Sequence, residues 1–191
     1  GEVPTEFWES AVKEIKQVKP IFMLAESEDK DLFEEAFDMG YNWEGHHIFN
    51  AIAKGEKNAK DLSDYLKKID TTYQKDDYLM NFVTNHDENS WSGSVNERMG
   101  DAVEVMTALT FTIPGMPLIY SGQEYDMQKR LRFFEKDTIP HQKNKFWPIL
   151  SKLGSLKNSS IALDGSKTSA NYIEIENSKE NAMFSFKRAQ G

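Results

Sequence analysis

The sequence contains no cysteine in its 191 residues. That excludes a disulfide framework and a thiolate metal centre, and leaves the compartment open. It also lacks any apolar run near the roughly 18 residues that a membrane-spanning helix requires. No signal-peptide pattern marks its N-terminus. Basic residues are in deficit, 23 Lys and Arg against 31 Asp and Glu, for a net charge of −8. This balance argues against nucleic acid and membrane surfaces as partners and is compatible with neutral ligands. No glycine-rich phosphate loop follows any candidate strand, which disfavours nucleotide binding, and no histidine spacing resembles a zinc-binding helix, so no metal site is expected. What remains is 39% hydrophobic and 12% aromatic, enough for the core of one domain, with or without a short appendage. The chain begins at Gly1 without an initiator Met and stops soon after Phe184-Ser185-Phe186-Lys187, and is expected to be a piece of a longer protein.

Periodicity divides the chain into alternating elements. Phe7/Trp8, Ala11/Val12, Ile15 and Val18 form one helical stripe between Pro4 and Pro20. Ile21-Phe22-Met23-Leu24-Ala25 reads as a strand buried on both faces. Asp31 to Phe37 predicts a short helix, Tyr41-Asn42-Trp43 a weak strand, and His46 to Ala53 and Lys60 to Tyr73 two further helices. A strand over Asn81 to Thr84 comes next, then one long amphipathic helix from Val95 to Ile113, ended by Pro114-Gly115. Pro117 to Tyr120 is a fourth apolar run, and Phe146, Ile149/Leu150, Leu153 and Leu156 mark a last helix. The tail alternates apolar and polar over Asn171–Glu176 and Ala182–Lys187, as a β-hairpin does. Strand and helix thus repeat about four times, the α/β pattern of a parallel sheet. By pattern alone this is half of an eight-fold barrel or a small doubly wound sheet.

Three of the strands end in polar clusters: Glu26, His86-Asp87 and Gln123-Glu124. Parallel neighbours would bring these ends to one side of the sheet, and carboxylates converging in a cleft are the equipment of glycoside hydrolysis. One group stays protonated to serve the leaving oxygen while another holds negative charge against a cationic transition state. Glu26 follows the more apolar strand, so burial would favour its protonated form, whereas His86 and Asn85 beside Asp87 would favour its ionised form. Taken singly, each has a plainer reading. Glu26 could be an acidic residue near a helix N-terminus, His86 a satisfied structural histidine, and Glu28 and Glu88 loop-fixing or solvated groups. His46 and His47, at a helix start, read as structural or outer-cleft residues rather than metal ligands. Trp43 and Trp91 follow strand ends and could stack on sugar rings. Core packing is the alternative for Trp43, while the polar Asn-Ser-Trp-Ser-Gly setting of Trp91 favours exposure.

Together these segments resemble the alpha-amylase family, glycoside hydrolase family 13. Phe82-Val83-Thr84-Asn85-His86-Asp87 is similar to the family's fourth conserved region, and Phe22-Met23-Leu24-Ala25-Glu26 to its third. Gly115-Met116-Pro117-Leu118-Ile119-Tyr120-Ser121-Gly122-Gln123-Glu124 resembles its eighth-strand signature. The resemblance implies an α/β fold comprising the C-terminal half of a (β/α)8 TIM barrel over residues 1–160, with the start of a C-terminal β domain over 161–191. It implies Glu26 as general acid/base, Asp87 as transition-state stabiliser and His86 as a sugar-binding group, acting on an α-glucan or maltooligosaccharide. Trp43 and Trp91 are candidate substrate-binding residues. The family's nucleophilic Asp, in a Gly-x-Arg-x-Asp segment, has no counterpart here, and Gly1-Glu2-Val3-Pro4 resembles the stretch just downstream of that segment. The chain alone is therefore expected to be inactive, and its open half-barrel to self-associate. No cofactor is expected in this chain, and calcium would belong to the part of the parent enzyme outside it. A transglycosylating or isomerising member would use the same residues. A non-catalytic sugar-binding relative and a small doubly wound interaction domain are the competing classes.

Overall fold

The computed structural model describes residues 3–74, 76–165 and 170–190. Of the Gly1–Pro4 segment, Gly1 and Glu2 lie outside the described residues. Four short strands, β1 (Leu24–Ala25), β2 (Met39–Tyr41), β3 (Tyr78–Asn81) and β4 (Met116–Pro117), form one sheet in sequence order. Every neighbouring pair is parallel, with Ala25 opposite Gly40, Tyr41 opposite Met80 and Asn81 opposite Pro117. Helices α1 (Thr5–Val18), α2 (Trp43–Ala53), α3 (Ala59–Thr72), α4 (Val95–Met99), α5 (Val103–Thr112) and α6 (Phe146–Ser159) complete the α/β layer structure. In-order parallel strands with intervening helices are the arc of a (β/α)8 barrel. No described helix is long and apolar enough to cross a membrane.

Strand alternation sorts the core into two sides. Leu79 and Val83 point to the helices, where Phe49, Leu62, Leu66, Met106 and Phe146 bury them. Met80 and Phe82 point the other way and pack with Tyr41, Trp43 and Leu118. A buried polar chain fixes how the strand ends align. Asn42 caps α2 by accepting from Gly45 N (2.9 Å), donates to Asn81 Oδ1 (2.7 Å), and accepts from Tyr65 Oη of α3. Asn81 in turn donates to the Pro114 carbonyl (2.9 Å) ahead of β4. Gly115, at φ +110°, sits where a Cβ would come 2.3 Å from the Leu79 carbonyl, so only glycine lets β4 approach β3.

Several elements depart from sequence expectation. The third strand is Tyr78–Asn81, three residues earlier than Asn81–Thr84, because its ladder partners in β2 and β4 end opposite Met80 and Asn81. The long helix predicted over 95–113 is broken: Gly100 takes φ +51°, ending α4, and a 3-10 turn (Gly100–Ala102) leads into α5. The helix expected over 31–37 is a 3-10 turn, Lys30–Phe33, started by Asp29 accepting from Asp31 N. The first strand is not buried on both faces. Phe22 is 61% exposed and Leu24 is exposed too, because β1 has one neighbour, β2. For the same reason Phe7, Ile15 and Val18 of the α1 stripe face solvent while Val12 is buried. The hairpin forms from β5 (Asn171–Glu174) and β6 (Phe186–Ala189). It packs Tyr172, Phe184 and Phe186 onto the helix-side core, and Glu174 accepts from Ser63 of α3 (2.6 Å).

This architecture can be tested at two points. Asn42→Ala would leave Tyr65 Oη and Asn81 Oδ1 buried without their partner, and should lower unfolding free energy by at least about 2 kcal/mol in urea titration. The open edge of β1, flanked by Phe22 and Leu24, is a template for pairing. Sedimentation velocity should show concentration-dependent association that Leu24→Lys suppresses, and a monomer at every concentration would contradict it.

Candidate active site

The parallel register puts the residues that come after β1, β2, β3 and β4 at one end of the sheet. Glu26 comes directly after Ala25, and His86-Asp87 four residues beyond Phe82, itself fully buried. His86 Nε2 lies 3.6 Å from Glu26 Oε1 and 3.6 Å from Asp87 Oδ2. One donor atom from each of the three falls within 4.8 Å of the others. The expected burial of Glu26 is not found, since its side chain is 52% exposed at the end of edge strand β1. The same donor spacing could hold a cation, but exposed carboxylates beside a histidine are no more than that.

Behind this surface lies a network that holds the motif in place. Asp87 opens a π-helical turn, Glu88–Ser92, in which Asn85 Oδ1 accepts from Glu88 N (2.8 Å) and Gly93 N closes on the Glu88 carbonyl (2.9 Å). His46, 1% exposed, stacks on Phe82 with centroids 4.5 Å apart. Its Nε2 donates to Glu88 Oε2 (3.1 Å) and its Nδ1 faces the Phe82 carbonyl (3.2 Å). Arg98 donates to the Val83 carbonyl (2.7 Å), the Gly93 carbonyl (3.1 Å) and Asn50 Oδ1 (2.7 Å), and lies 3.8 Å from Glu88. The hydrogen bond from His46, with the charge of His46 and Arg98, holds the Glu88 carboxyl below its ordinary value although burial opposes this. Glu88 and His46 are thus loop-fixing groups. Glu28 is one as well: its carboxylate accepts from Glu44 N (2.9 Å) at the start of α2, and its carbonyl from Tyr73 Oη (2.6 Å).

The other sequence candidates divide. Trp91 stands out from the turn at 60% exposure, while Trp43 is half-buried, stacked on Tyr41 and edge-on to Phe82. Tyr41 feels the site directly, because burial first and then the Glu26 and Asp87 charges raise its hydroxyl's pKa. Glu124 does not join the cluster, because its carboxylate accepts from Gly122 N (2.8 Å) in its own loop. Gln123, buried, braces the same rim by accepting from Tyr120 N (3.3 Å). Sequence reading misses Phe133. Its ring lies 5.9 Å from the His86 ring and 5.2 Å from Trp91, and nothing in its charged surroundings signals a contact across 47 residues.

A family model described as the alpha amylase catalytic domain matches residues 4–184. The chain belongs to the alpha-amylase family. A 4-alpha-glucanotransferase from Thermotoga neapolitana is 29% identical over 126 residues, 64% of this chain and 27% of that protein. A maltogenic alpha-amylase structure from the same organism superposes with a TM-score of 0.85 at 26% identity, covering 97% of this chain and 43% of that one. An alpha-amylase from Lactobacillus plantarum gives 0.76 at 25% identity over 91% and 44%. The chain therefore spans about a quarter of the curated relative and less than half of these structures. In this chain Glu88, next after His86-Asp87, is tied to His46 and Arg98.

A depressed carboxylate stabilises the fold above its unfolded value, near 4.5, and that contribution is lost as pH falls through the lower folded value. Glu88→Gln should therefore cost about 1 kcal/mol or more at pH 7. It should also flatten the acid limb of stability against pH, measured by urea titration from pH 7 to 3. An unchanged acid limb would remove Glu88 from this role.

Proposed function

We propose that this chain supplies the acid/base side of the catalytic centre of a retaining α-glucan-acting enzyme. The observation that carries the reading is the convergence of Glu26, His86 and Asp87 donor atoms within 4.8 Å at the common end of parallel strands. In this reading Glu26 protonates the glycosidic oxygen as the bond breaks and then takes a proton from the incoming water or sugar hydroxyl. Its exposure lets that acceptor reach it. Asp87 holds ring hydroxyls and strengthens its grip as positive charge develops at the anomeric carbon. His86, between the two carboxylates, donates to a hydroxyl of the same ring. Trp91 offers an exposed aromatic face, and half-buried Trp43 forms the wall at the end of β2.

The attacking carboxylate of a retaining mechanism would stand across the bond from Glu26. The sequence holds no Gly-x-Arg-x-Asp segment to provide it, so the chain by itself should not turn over. Residues 1–160 would then be a barrel portion and 161–191 the opening of a β domain. Transfer to a sugar acceptor is the second reading, supported by the relative named as a 4-alpha-glucanotransferase. It needs the same side chains and differs in whether water or a hydroxyl reaches Glu26.

Expressed together with the upstream sequence of its parent, the protein should release reducing sugar from maltooligosaccharides. Glu26→Gln should lower that rate by about 10²–10⁴-fold. Wild-type rates in the variant would dismiss Glu26 as acid/base, and turnover by the 191-residue chain alone would dismiss the external nucleophile.

A further inference from the structure

At the end of the sheet away from the acid/base cluster, the hairpin closes over α3 and the entry to β4. Strand register sets Tyr172 of β5 directly opposite Arg188 of β6, so their side chains share one face. That face turns inward, since Tyr172 and Phe186 pack on the helix-side core while Ile173 and Lys187 between them are exposed. Tyr172 Oη and Arg188 Nε are shut off from solvent, and neither has a hydrogen-bond partner among the described residues. Burial first, and then the Glu174 charge, raise the Tyr172 pKa, so the hydroxyl keeps its proton. Two buried donors on facing residues thus lack an acceptor, where folded proteins ordinarily supply one.

Tyr172 lines a hollow of about 320 Å³ between α3 and β5, room enough for a small organic molecule. Leu66 and Ile69 of α3, with Pro114, give it apolar walls, and Lys67 and Asp70 its charged lining. Positive charge gathers at the same corner. Arg188 donates to the Asp164 (3.0 Å) and Ala170 (3.3 Å) carbonyls, and Lys157 of α6 to the Gly115 carbonyl (2.8 Å). Burial, with the Arg188 charge beside it, lowers the Lys157 pKa to about 8, although Asp164 opposes this. One negative charge would ease that crowding. Lys67 is already paired with Glu174 (3.2 Å), and Asp70 on the hollow disfavours a second negative charge, so an inorganic dianion fits poorly. We propose that the hollow binds a small monocarboxylate with a short alkyl chain. Its carboxylate accepts from Tyr172 and Arg188, and its alkyl end lies on Leu66, Ile69 and Pro114. The bound acid bridges α3, the entry to β4 and the hairpin, and fastens the hairpin to the sheet without touching Glu26, His86 or Asp87. The site is independent of the α-glucan reading.

The test is calorimetric titration and thermal unfolding of the 191-residue chain with isovalerate, acetate, inorganic phosphate and isoamyl alcohol at matched ionic strength. Isovalerate should bind and raise Tm with its concentration. Acetate should bind roughly tenfold more weakly or worse, for want of the buried alkyl carbons. Phosphate and the alcohol should leave Tm unchanged. Tyr172→Phe should lose no stability without ligand, because its Oη bonds to no described group, and should bind isovalerate about tenfold more weakly. If that variant does not fold, nuclear Overhauser contacts from the isovalerate methyls to those of Leu66 and Ile69 in the wild type decide. Equal binding of the alcohol, binding of phosphate in place of the acid, full affinity in Tyr172→Phe, absence of those methyl contacts, or no binding of any probe would each overturn the site.

Discussion

The hydrogen bond from Asn42 to Asn81 joins the ends of two neighbouring strands at the level where the site begins. Each partner is buried and each has a further obligation. Asn42 must also satisfy the first turn of α2 and the Tyr65 hydroxyl, and Asn81 the Pro114 carbonyl. An amide in that position cannot shift by a residue without stranding several polar groups in a low-dielectric interior. The polar chain therefore acts as a register pin across β2, β3 and the start of β4. Every side chain at the rim inherits its height from it.

From that level upward, the site is held from behind rather than from the front. His46 lies flat on Phe82 and reaches Glu88, Arg98 gathers the Val83 and Gly93 carbonyls, and Asn50 links the two. These groups are largely buried and joined by hydrogen bonds and ion pairs, whereas Glu26, His86 and Asp87 are half-exposed, with His86 3.6 Å from each carboxylate. The proposed function would use this contrast, because an acid/base group needs a fixed position and an open approach.

The element types are legible from periodicity because they depend on which faces are apolar. All four parallel strands and the tail hairpin lie close to where the apolar runs and the alternation put them. The misses share a cause. Apolar composition overstates strand length at Ile21–Ala25 and places the third strand three residues too late, at Asn81–Thr84, since it reports burial and not ladder pairing. Phe82 and Val83 are fully buried yet stand outside the ladder. The break at Gly100 is invisible because the apolar spacing continues through it, while the backbone turns on a positive φ open to glycine at little cost.

The chain's own letters carried the identity of the cluster: Glu26, His86 and Asp87 sit in segments whose polar ends are set by strand termination, and strand termination is a local property. Local pattern could not supply their company. That Phe133 would lie beside His86, that Glu88 would be gripped by His46 and Arg98, and that Glu26 would stay in water all depend on contacts between residues far apart in sequence. Those distances are fixed only when the helices close on the sheet, because a side chain's neighbours are chosen by packing and not by its position in the chain.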